Sequence, residues 1–314
     1  MSRIHEALKK AELEADTSGF TSLRPLEAEA RTEAPREAVV PVDIKTDFGV
    51  RLPDTSRRTT SVGWEHIREK CVQVSWKPDP ARNVFGNPSL SLEAAEQFRT
   101  LRSRLYQLRA AEKSLRVVLI TSPVSGDGKT FVATNLAQAI VRQADRRVLL
   151  IDADLRSPNL HIALGASPAP GLGDYLNGSA DELSVIQHGQ EGGLYFIGGG
   201  TTVNNASELL SNGRLNSLIE HTGAHFDWIL IDSPPCLPVA DASVIAGLCD
   251  GVLLVLRAGS TPSSAASKAS QEIPKKKLIG VVLNGVAENI TNYGSYYGKS
   301  YYGHMSPDEA GSRL

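Results

Sequence analysis

The sequence has few cysteines, no long apolar run and almost no net charge. Its three cysteines, Cys71, Cys236 and Cys249, have neither the spacing of paired disulfides nor that of a metal site, which indicates a reducing cytoplasm. It contains no secretory signal and no run of about 18 apolar residues, so we expect no membrane-spanning segment. A formal charge of −2 gives no reason to expect a nucleic acid partner.

The first 87 residues differ in composition from the rest. Residues 2–16 place their apolar side chains on one face, which predicts a short helix that either docks on a partner or frays in solvent. Residues 17–87 are rich in Pro, Glu, Arg, Ser and Thr, a composition that buries too little apolar surface to offset the entropy of ordering. We therefore predict a flexible linker there, a folded domain over 88–291 and a tyrosine-rich tail over 292–314.

The predicted domain alternates apolar runs with helical segments, and its 41% hydrophobic content supports a sizeable core. The helix before the first strand has a core-facing stripe predicted at Leu92, Ala95, Phe98, Leu101 and Leu105. Strands are predicted near Val117, Val148, Leu194, Ile229, Val252 and Val281. This alternation predicts an α/β protein of the P-loop NTPase type, with a doubly wound, mostly parallel sheet and helices on both faces.

A glycine-rich turn with the sequence SPVSGDGKT occupies residues 122–130, between a predicted strand and a helix. Pro123 departs from the usual phosphate-loop pattern, which has Gly at this place. Gly126 and Gly128 still allow the backbone to approach phosphates, Lys129 can reach the β/γ-phosphates, and the Thr130 hydroxyl can bind Mg²⁺. An ordinary turn before a helix is the competing interpretation, and the strand and helix around the turn favour the phosphate loop.

Two further motifs place aspartates at the ends of predicted strands. Asp152 directly follows the apolar run at 148–151, and Asp154 lies two residues further on. Asp232 directly follows the run at 228–231. Ligands of open α/β sheets bind at the carboxyl ends of the strands. We therefore expect the three carboxylates to surround the phosphate loop.

These three motifs together resemble those of the bacterial tyrosine kinases of capsule and exopolysaccharide export. Partition and septum-site ATPases share the arrangement, but they carry an additional lysine near the start of the loop, where Val124 stands here. Residues 171–178, 206–211 and 237–242 also resemble the kinase family. The resemblance covers roughly residues 88 to 303.

The resemblance implies a role for two segments outside the nucleotide site. Glu96, Arg99 and Arg102 fit the E-x-x-R-x-x-R helix with which these kinases pack into rings, and a solvated charged face is the alternative. The tail contains five of the eight tyrosines of the chain, and the family is phosphorylated in trans on such a cluster. The expected phosphoacceptors are Tyr293, Tyr296, Tyr297, Tyr301 and Tyr302.

The resemblance also implies ATP and Mg²⁺ as cofactors. Residues Ser125, Gly126, Asp127, Gly128, Lys129, Thr130 and Phe131 are expected to bind the nucleotide. Thr130 and Asp232 are expected to hold Mg²⁺, and Asp154 to act beside the metal. Asp152 is the expected acceptor of the tyrosine proton.

The sequence leaves two side chains with alternative roles. Asn284 either reads adenine, as in related ATPases, or forms a turn before Gly285. Arg156 either forms a local salt bridge or contacts phosphate.

The family further implies a ring-type homo-oligomer and a separate membrane-spanning polysaccharide co-polymerase or adaptor that recruits a cytoplasmic kinase to the inner face of the membrane. Its expected activity is ATP-dependent protein-tyrosine phosphorylation that regulates polysaccharide polymerisation or export. A partition-type ATPase and a nucleotide-binding scaffold without kinase activity are the alternatives.

Overall fold

In the computed structural model of the protein, the described residues are 64–86, 92–189 and 192–286. The predicted helix at 2–16 and the tyrosine-rich tail at 292–314 lie outside them. None of the helices within these described ranges is long and apolar enough to cross a bilayer.

The described residues alternate helices and strands along the chain. In chain order, the elements are α1 (Trp64–Lys70), β1 (Val72–Gln73), α2 (Leu92–Ala111), β2 (Val117–Thr121), α3 (Lys129–Val141), β3 (Val148–Asp152), α4 (Leu160–Leu164), α5 (Leu172–Leu176), β4 (Ile186–His188), β5 (Leu194–Ile197), α6 (Ala206–Ser211), α7 (Arg214–Gly223), β6 (Trp228–Asp232), α8 (Asp241–Leu248), β7 (Gly251–Arg257), α9 (Ser263–Glu272) and β8 (Leu278–Asn284).

The strands form one eight-stranded sheet in the order β1-β4-β5-β3-β6-β2-β7-β8. All neighbouring pairs are parallel except β4 and β5. In this order β6 lies between β2 and β3. The connection from β2 to β3 therefore passes over the position of β6, which comes later in the chain. The predicted doubly wound, mostly parallel sheet is confirmed.

The central strands are buried on both faces, which explains why they are continuous apolar runs in the sequence. In β2, for example, Val117 and Leu119 point into one core and Val118 and Ile120 into the other. We call the face of Val117 and Leu119 the first face and that of Val118 and Ile120 the second face. Helices α2 and α3 pack on the second face, with Leu136 and Ile140 of α3 fully buried. All six predicted strands are found, and β1 and β4 are two short strands that the sequence pattern missed.

The prediction that residues 17–87 form a linker is wrong for residues 64–86. Helix α1 buries Ile67, which is 1% exposed, in the core on the first face of the sheet. The ring of Trp64 packs against Tyr195 at 5.3 Å, and that of Trp76 packs against Phe196 at 6.3 Å. The backbone N–H of Val74 donates to the carbonyl of His188 at 3.0 Å. The folded unit therefore begins before the boundary predicted at residue 88.

Replacing Ile67 by Ala should test this packing. We expect the free energy of unfolding to fall by about 2–4 kcal/mol, because the change opens a cavity in a packed core. Val72 lies in the same segment but is 43% exposed, so Val72→Ala serves as the control and should change stability little. Denaturant unfolding measures both, and equal stability of the two variants would contradict the packing described for this segment.

Candidate functional site

Three adjacent strands bring the sequence motifs together at one edge of the sheet. In the register of the sheet, Asp232 of β6 is the partner of Ile120 of β2 and of Asp152 of β3. The phosphate loop follows β2, and Asp154 follows β3. The predicted convergence of the aspartates on this loop is therefore what the fold produces.

The loop at 122–130 has the backbone geometry of an anion-binding turn. Gly126 and Gly128 have φ of 91° and 96°, which residues with side chains rarely adopt, and α3 begins at Lys129. The N–H groups of residues 125–128 donate to no group among the described residues. Free donors in front of a helix N-terminus form a site for phosphate.

Lys129 extends from this loop toward the carboxylates. Its Nζ lies 3.2 Å from Oδ2 of Asp154, and the two side chains are 14% and 9% exposed. Burial lowers the pKa of Lys129, but the charges of Asp232 and Asp154 outweigh burial and raise the pKa above its ordinary value. The ammonium is therefore fully charged and available to phosphate oxygens.

Thr130 and Asp232 form the part of the site that fits Mg²⁺. The Thr130 hydroxyl donates to Oδ2 of Asp232 at 2.7 Å, while the buried Oδ1 of Asp232 has no partner among the described residues. Burial raises the pKa of Asp232 to about 6 against the opposing effects of Lys129 and Thr130. A cation would satisfy the free oxygen and favour the ionised form. Two oxygen ligands suit Mg²⁺, which usually keeps waters and phosphate oxygens in its shell.

The carboxylate of Asp152 bonds to the backbone of its own chain. Its side chain is fully buried, with Oδ2 accepting the N–H groups of Asn159 and Leu160, each at 3.0 Å, and Oδ1 accepting that of Asp154 at 3.2 Å. Burial and the charge of Asp232 raise its pKa, and these backbone bonds oppose the rise. These bonds make Asp152 an anchor of the chain between β3 and α4, and its role as proton acceptor stays a prediction.

Two other residues predicted to bind nucleotide have side chains that contact protein. The carboxylate of Asp127, 2% exposed, accepts the Thr261 hydroxyl at 2.7 Å and the N–H of Val124 at 3.4 Å. The ring of Phe131 packs against Phe98 of α2 at 5.8 Å. Only the backbone of Asp127 remains available to a phosphate.

Asn284 lies beside the loop, at the end of β8. Its Nδ2 donates to the carbonyl of Asp127 at 3.0 Å, and a Cβ on Gly128 would collide with this amide. A groove of about 530 Å³ opens next to it between α2 and β8, with Phe131 and Val282 in its wall.

The structure assigns a local partner to Arg156. Its Nε donates to Oδ2 of Asp241 at 2.7 Å and its Nη2 to Oδ1 at 3.1 Å. Asp241 is fully buried at the start of α8 and also accepts the Ser207 hydroxyl. Burial tends to raise the pKa of Asp241, but Arg156 and Ser207 lower it below its ordinary value. Of the two alternatives left open by the sequence, the salt bridge is the one formed.

The residues predicted to form an interface divide between two surfaces of α2. Glu96 and Arg99 pair with each other on the exposed face. Arg102 instead donates from Nη1 to the carbonyl of Ala139 at 2.7 Å and is directed at α3 of its own chain. Leu92, predicted on the core-facing stripe, is the first residue of the helix and is 85% exposed.

Sequence reasoning missed Arg257, the last residue of β7, and Thr261 in the turn after it. Arg257 Nη1 donates to the carbonyl of Gly126 at 3.1 Å, and Thr261 holds Asp127 as described above. Neither residue belongs to a known phosphate-binding sequence motif. Only the pairing of β7 with β2 places the end of β7 beside the loop. The five predicted phosphoacceptor tyrosines lie outside the described residues.

A glycine-rich loop, a lysine and strand-end carboxylates on a doubly wound sheet define a P-loop nucleotide-binding protein. The family model of the CobQ/CobB/MinD/ParA nucleotide binding domain matches residues 118–309. The chain is 33% identical over 224 residues to tyrosine-protein kinase YwqD of Bacillus subtilis, which covers 71% of this chain and 92% of that protein. The chain belongs to the bacterial tyrosine kinases.

Other relatives support the same assignment. Identity to tyrosine-protein kinase CpsD of Streptococcus agalactiae is 35% over 209 residues, which is 65% of this chain and 90% of CpsD. Identity to tyrosine-protein kinase etk of Escherichia coli K12 is 37% over 212 residues, 67% of this chain but only 29% of etk. The solved kinase domain of Escherichia coli ETK superposes with a TM-score of 0.60 at 36% identity, covering 65% of this chain and 80% of that domain.

Proposed function

We propose that this protein is an ATP-dependent protein-tyrosine kinase that phosphorylates its own C-terminal tyrosine cluster in trans and thereby regulates polysaccharide polymerisation or export. The observation that carries the proposal is the convergence of Lys129, Thr130, Asp154 and Asp232 on a loop of free N–H groups. The relatives named as tyrosine-protein kinases supply the class of acceptor.

Phosphoryl transfer depends on positioning and on neutralising charge. The N–H groups of residues 125–130 and the Lys129 ammonium would hold the phosphates of ATP, and Thr130 and Asp232 would hold Mg²⁺. Bound Mg²⁺ would neutralise negative charge on the β- and γ-phosphates. The groove between α2 and β8 lies beside Phe131, at the open end of the loop, and offers apolar surface to the base.

We assign the tyrosine proton to Asp154 and not to Asp152. A tyrosine hydroxyl has a pKa of about 10, so it attacks poorly unless a base accepts its proton. Asp154 pairs with Lys129 in the structure. When Lys129 turns to the phosphates, Oδ2 of Asp154 is released, while Oδ1 keeps the backbone N–H of Ser157 at 3.1 Å. The released oxygen can then accept the proton while the hydroxyl oxygen bonds to the γ-phosphorus and ADP leaves. Asp152 stays bonded to the backbone.

The tyrosine tail is the proposed substrate. Tyr293 follows Asn284 by nine residues, and an extended chain spans about 3.3 Å per residue, so the cluster starts within roughly 30 Å of the loop. We propose that the first tyrosines enter the site of an adjacent subunit.

Changing the five tail tyrosines to Phe should leave ATP binding unchanged and remove most autophosphorylation. Phe keeps the rings but lacks the acceptor hydroxyl. The matched control is Phe at Tyr106, Tyr175 and Tyr195, which the structure places inside the folded domain. Phosphotyrosine measured by mass spectrometry should persist in the control. Phosphate found mainly on these three tyrosines would contradict the substrate assignment.

We further propose that Glu96 and Arg99 form the contact between subunits of a ring. Alanine at both positions should shift an oligomer toward monomer and reduce phosphorylation in trans, because it removes the two charges proposed to bind the neighbouring subunit. Alanine at Glu112 and Lys113, an exposed acidic and basic residue just beyond α2, is the control. Light scattering gives the mass of each, and equal masses for all three proteins in an oligomeric sample would contradict this interface.

The family resemblance extends the proposal to location and partners. The kinase would be cytoplasmic and would be recruited to the inner face of the membrane by a separate membrane-spanning polysaccharide co-polymerase or adaptor. Nucleic acid is not a proposed partner. A partition-type ATPase is disfavoured by Val124, which lies where those enzymes carry lysine and whose N–H bonds to Asp127.

A further inference from the structure

We propose that Arg257 and Asn284 are positioning residues that direct the N–H groups of the phosphate loop at the nucleotide, and that Asn284 acts on phosphate binding and not on selection of the base. The proposal rests on the proposed nucleotide-binding function of this loop. It assigns a role to Arg257, which no sequence motif indicated, and it replaces the adenine-reading role considered for Asn284.

The first observation is that the two side chains bond to consecutive carbonyls of the loop. Arg257 Nη1 donates to the carbonyl of Gly126 at 3.1 Å, and Asn284 Nδ2 donates to the carbonyl of Asp127 at 3.0 Å. In a trans peptide the carbonyl of one residue and the N–H of the next point in opposite directions. Holding these two carbonyls outward therefore directs the N–H groups of Asp127 and Gly128 inward.

The second observation is that the inward N–H groups have no hydrogen-bond acceptor among the described residues. The N–H groups of Asp127 and Gly128 donate to no group within the described part of the chain. Between two glycines of positive φ, such a peptide could rotate at little cost. Fixing it in advance removes the entropy that phosphate would otherwise have to offset when it binds.

A third residue connects Arg257 to the loop from a second direction. The Thr261 hydroxyl accepts the backbone N–H of Arg257 at 2.7 Å and donates to the buried carboxylate of Asp127 at 2.7 Å. The end of β7 thus contacts the loop through Arg257, and the turn after β7 contacts it through Thr261. Asn284 contributes from β8, so the ends of two neighbouring strands fix one peptide segment.

The approach of Asn284 depends on the missing side chain at Gly128. A Cβ there would collide with the Asn284 amide. The amide therefore packs on the loop itself, with one of the two N–H groups of Nδ2 donating to the Asp127 carbonyl. An amide used in this way supports the phosphate site for any base.

Binding of ATP and of inorganic tripolyphosphate, each with Mg²⁺, tests the proposal by calorimetry on the full chain. Arg257→Ala and Asn284→Ala should each weaken both ligands by the same factor, about tenfold for the loss of one such hydrogen bond. Arg257→Lys retains a donor and should recover part of the affinity. Lys275→Ala removes an exposed charge away from the loop and should bind like the wild type. Thermal unfolding without ligand checks that each variant folds.

The ratio of the two dissociation constants decides the result. A loss for ATP but not for tripolyphosphate in Asn284→Ala would make Asn284 a base-reading residue and overturn the proposal. Unchanged binding in both alanine variants would overturn it as well, as would a wild type that binds ATP but not tripolyphosphate. A wild type that binds neither ligand would instead contradict the proposed nucleotide-binding function.

Discussion

Replacing Lys129 by Met should reduce phosphotyrosine formation by roughly 10²–10³-fold, the usual effect of removing one group that stabilises transition-state charge. The Lys129 ammonium is the cation nearest the carboxylates and follows the free N–H groups of the loop directly. Met has similar length and no charge, so the variant should fold. Quantitative phosphotyrosine detection after incubation with Mg²⁺ and ATP measures the effect.

The control for this variant is Lys268→Met, which removes an exposed lysine from α9. It should keep the activity of the wild type. Circular dichroism should give the same helix content for both variants. Phosphorylation retained by Lys129→Met, at a level near that of Lys268→Met, would contradict the position of the phosphate site.

Asp152→Ala and Asp154→Ala should separate two roles that the sequence could not divide. Asp152→Ala removes the acceptor of three backbone N–H groups, two of them in buried hydrogen bonds, so its free energy of unfolding should fall by about 1–3 kcal/mol. Asp154→Ala should change stability less and reduce turnover by about 10²–10⁴-fold, the usual contribution of a general base. Denaturant unfolding and phosphotyrosine assays distinguish the two.

The opposite pattern would restore the role first predicted for Asp152. In that case Asp152→Ala would unfold at the same denaturant concentration as the wild type and would lose turnover without losing ATP affinity. Asp154→Ala, in turn, would remain active. The Asp152→Asn variant, which keeps one acceptor oxygen, should recover part of the stability lost in Asp152→Ala if the anchoring role is correct.

The central sheet was predictable because its strands are buried on both faces. Runs such as those of β2, β3 and β6 are apolar throughout and end in residues of distinctive chemistry. These apolar runs, and the tendency of ligands to bind at the carboxyl ends of parallel strands, therefore predicted that the phosphate loop, Asp154 and Asp232 lie at one edge of the sheet.

The segment at 64–86 was not predictable in the same way. Its strand β1 has two residues and its helix α1 has seven, which is too short for a periodic signal. Its order comes from contacts distant in sequence, such as that of Trp64 with Tyr195. The polar composition of residues 17–87 predicted a linker, although a few apolar residues of this segment pack on the sheet.

The site showed the same limit at the level of side chains. Motif spacing identified the position of Asp152 but not its direction, which depends on the N–H groups of Asn159 and Leu160. Arg257 lies 131 residues from Gly126, whose carbonyl it holds. Only the placement of β7 beside β2 makes that contact possible.

The most direct test of the kinase assignment is to incubate the purified chain with Mg²⁺ and γ-labelled ATP and to map the phosphate by mass spectrometry, with Lys129→Met in parallel. We expect label on tyrosine, concentrated among Tyr293, Tyr296, Tyr297, Tyr301 and Tyr302, and roughly 10²–10³-fold less label in the variant. Hydrolysis of ATP by the wild type without any labelled tyrosine would contradict the kinase assignment.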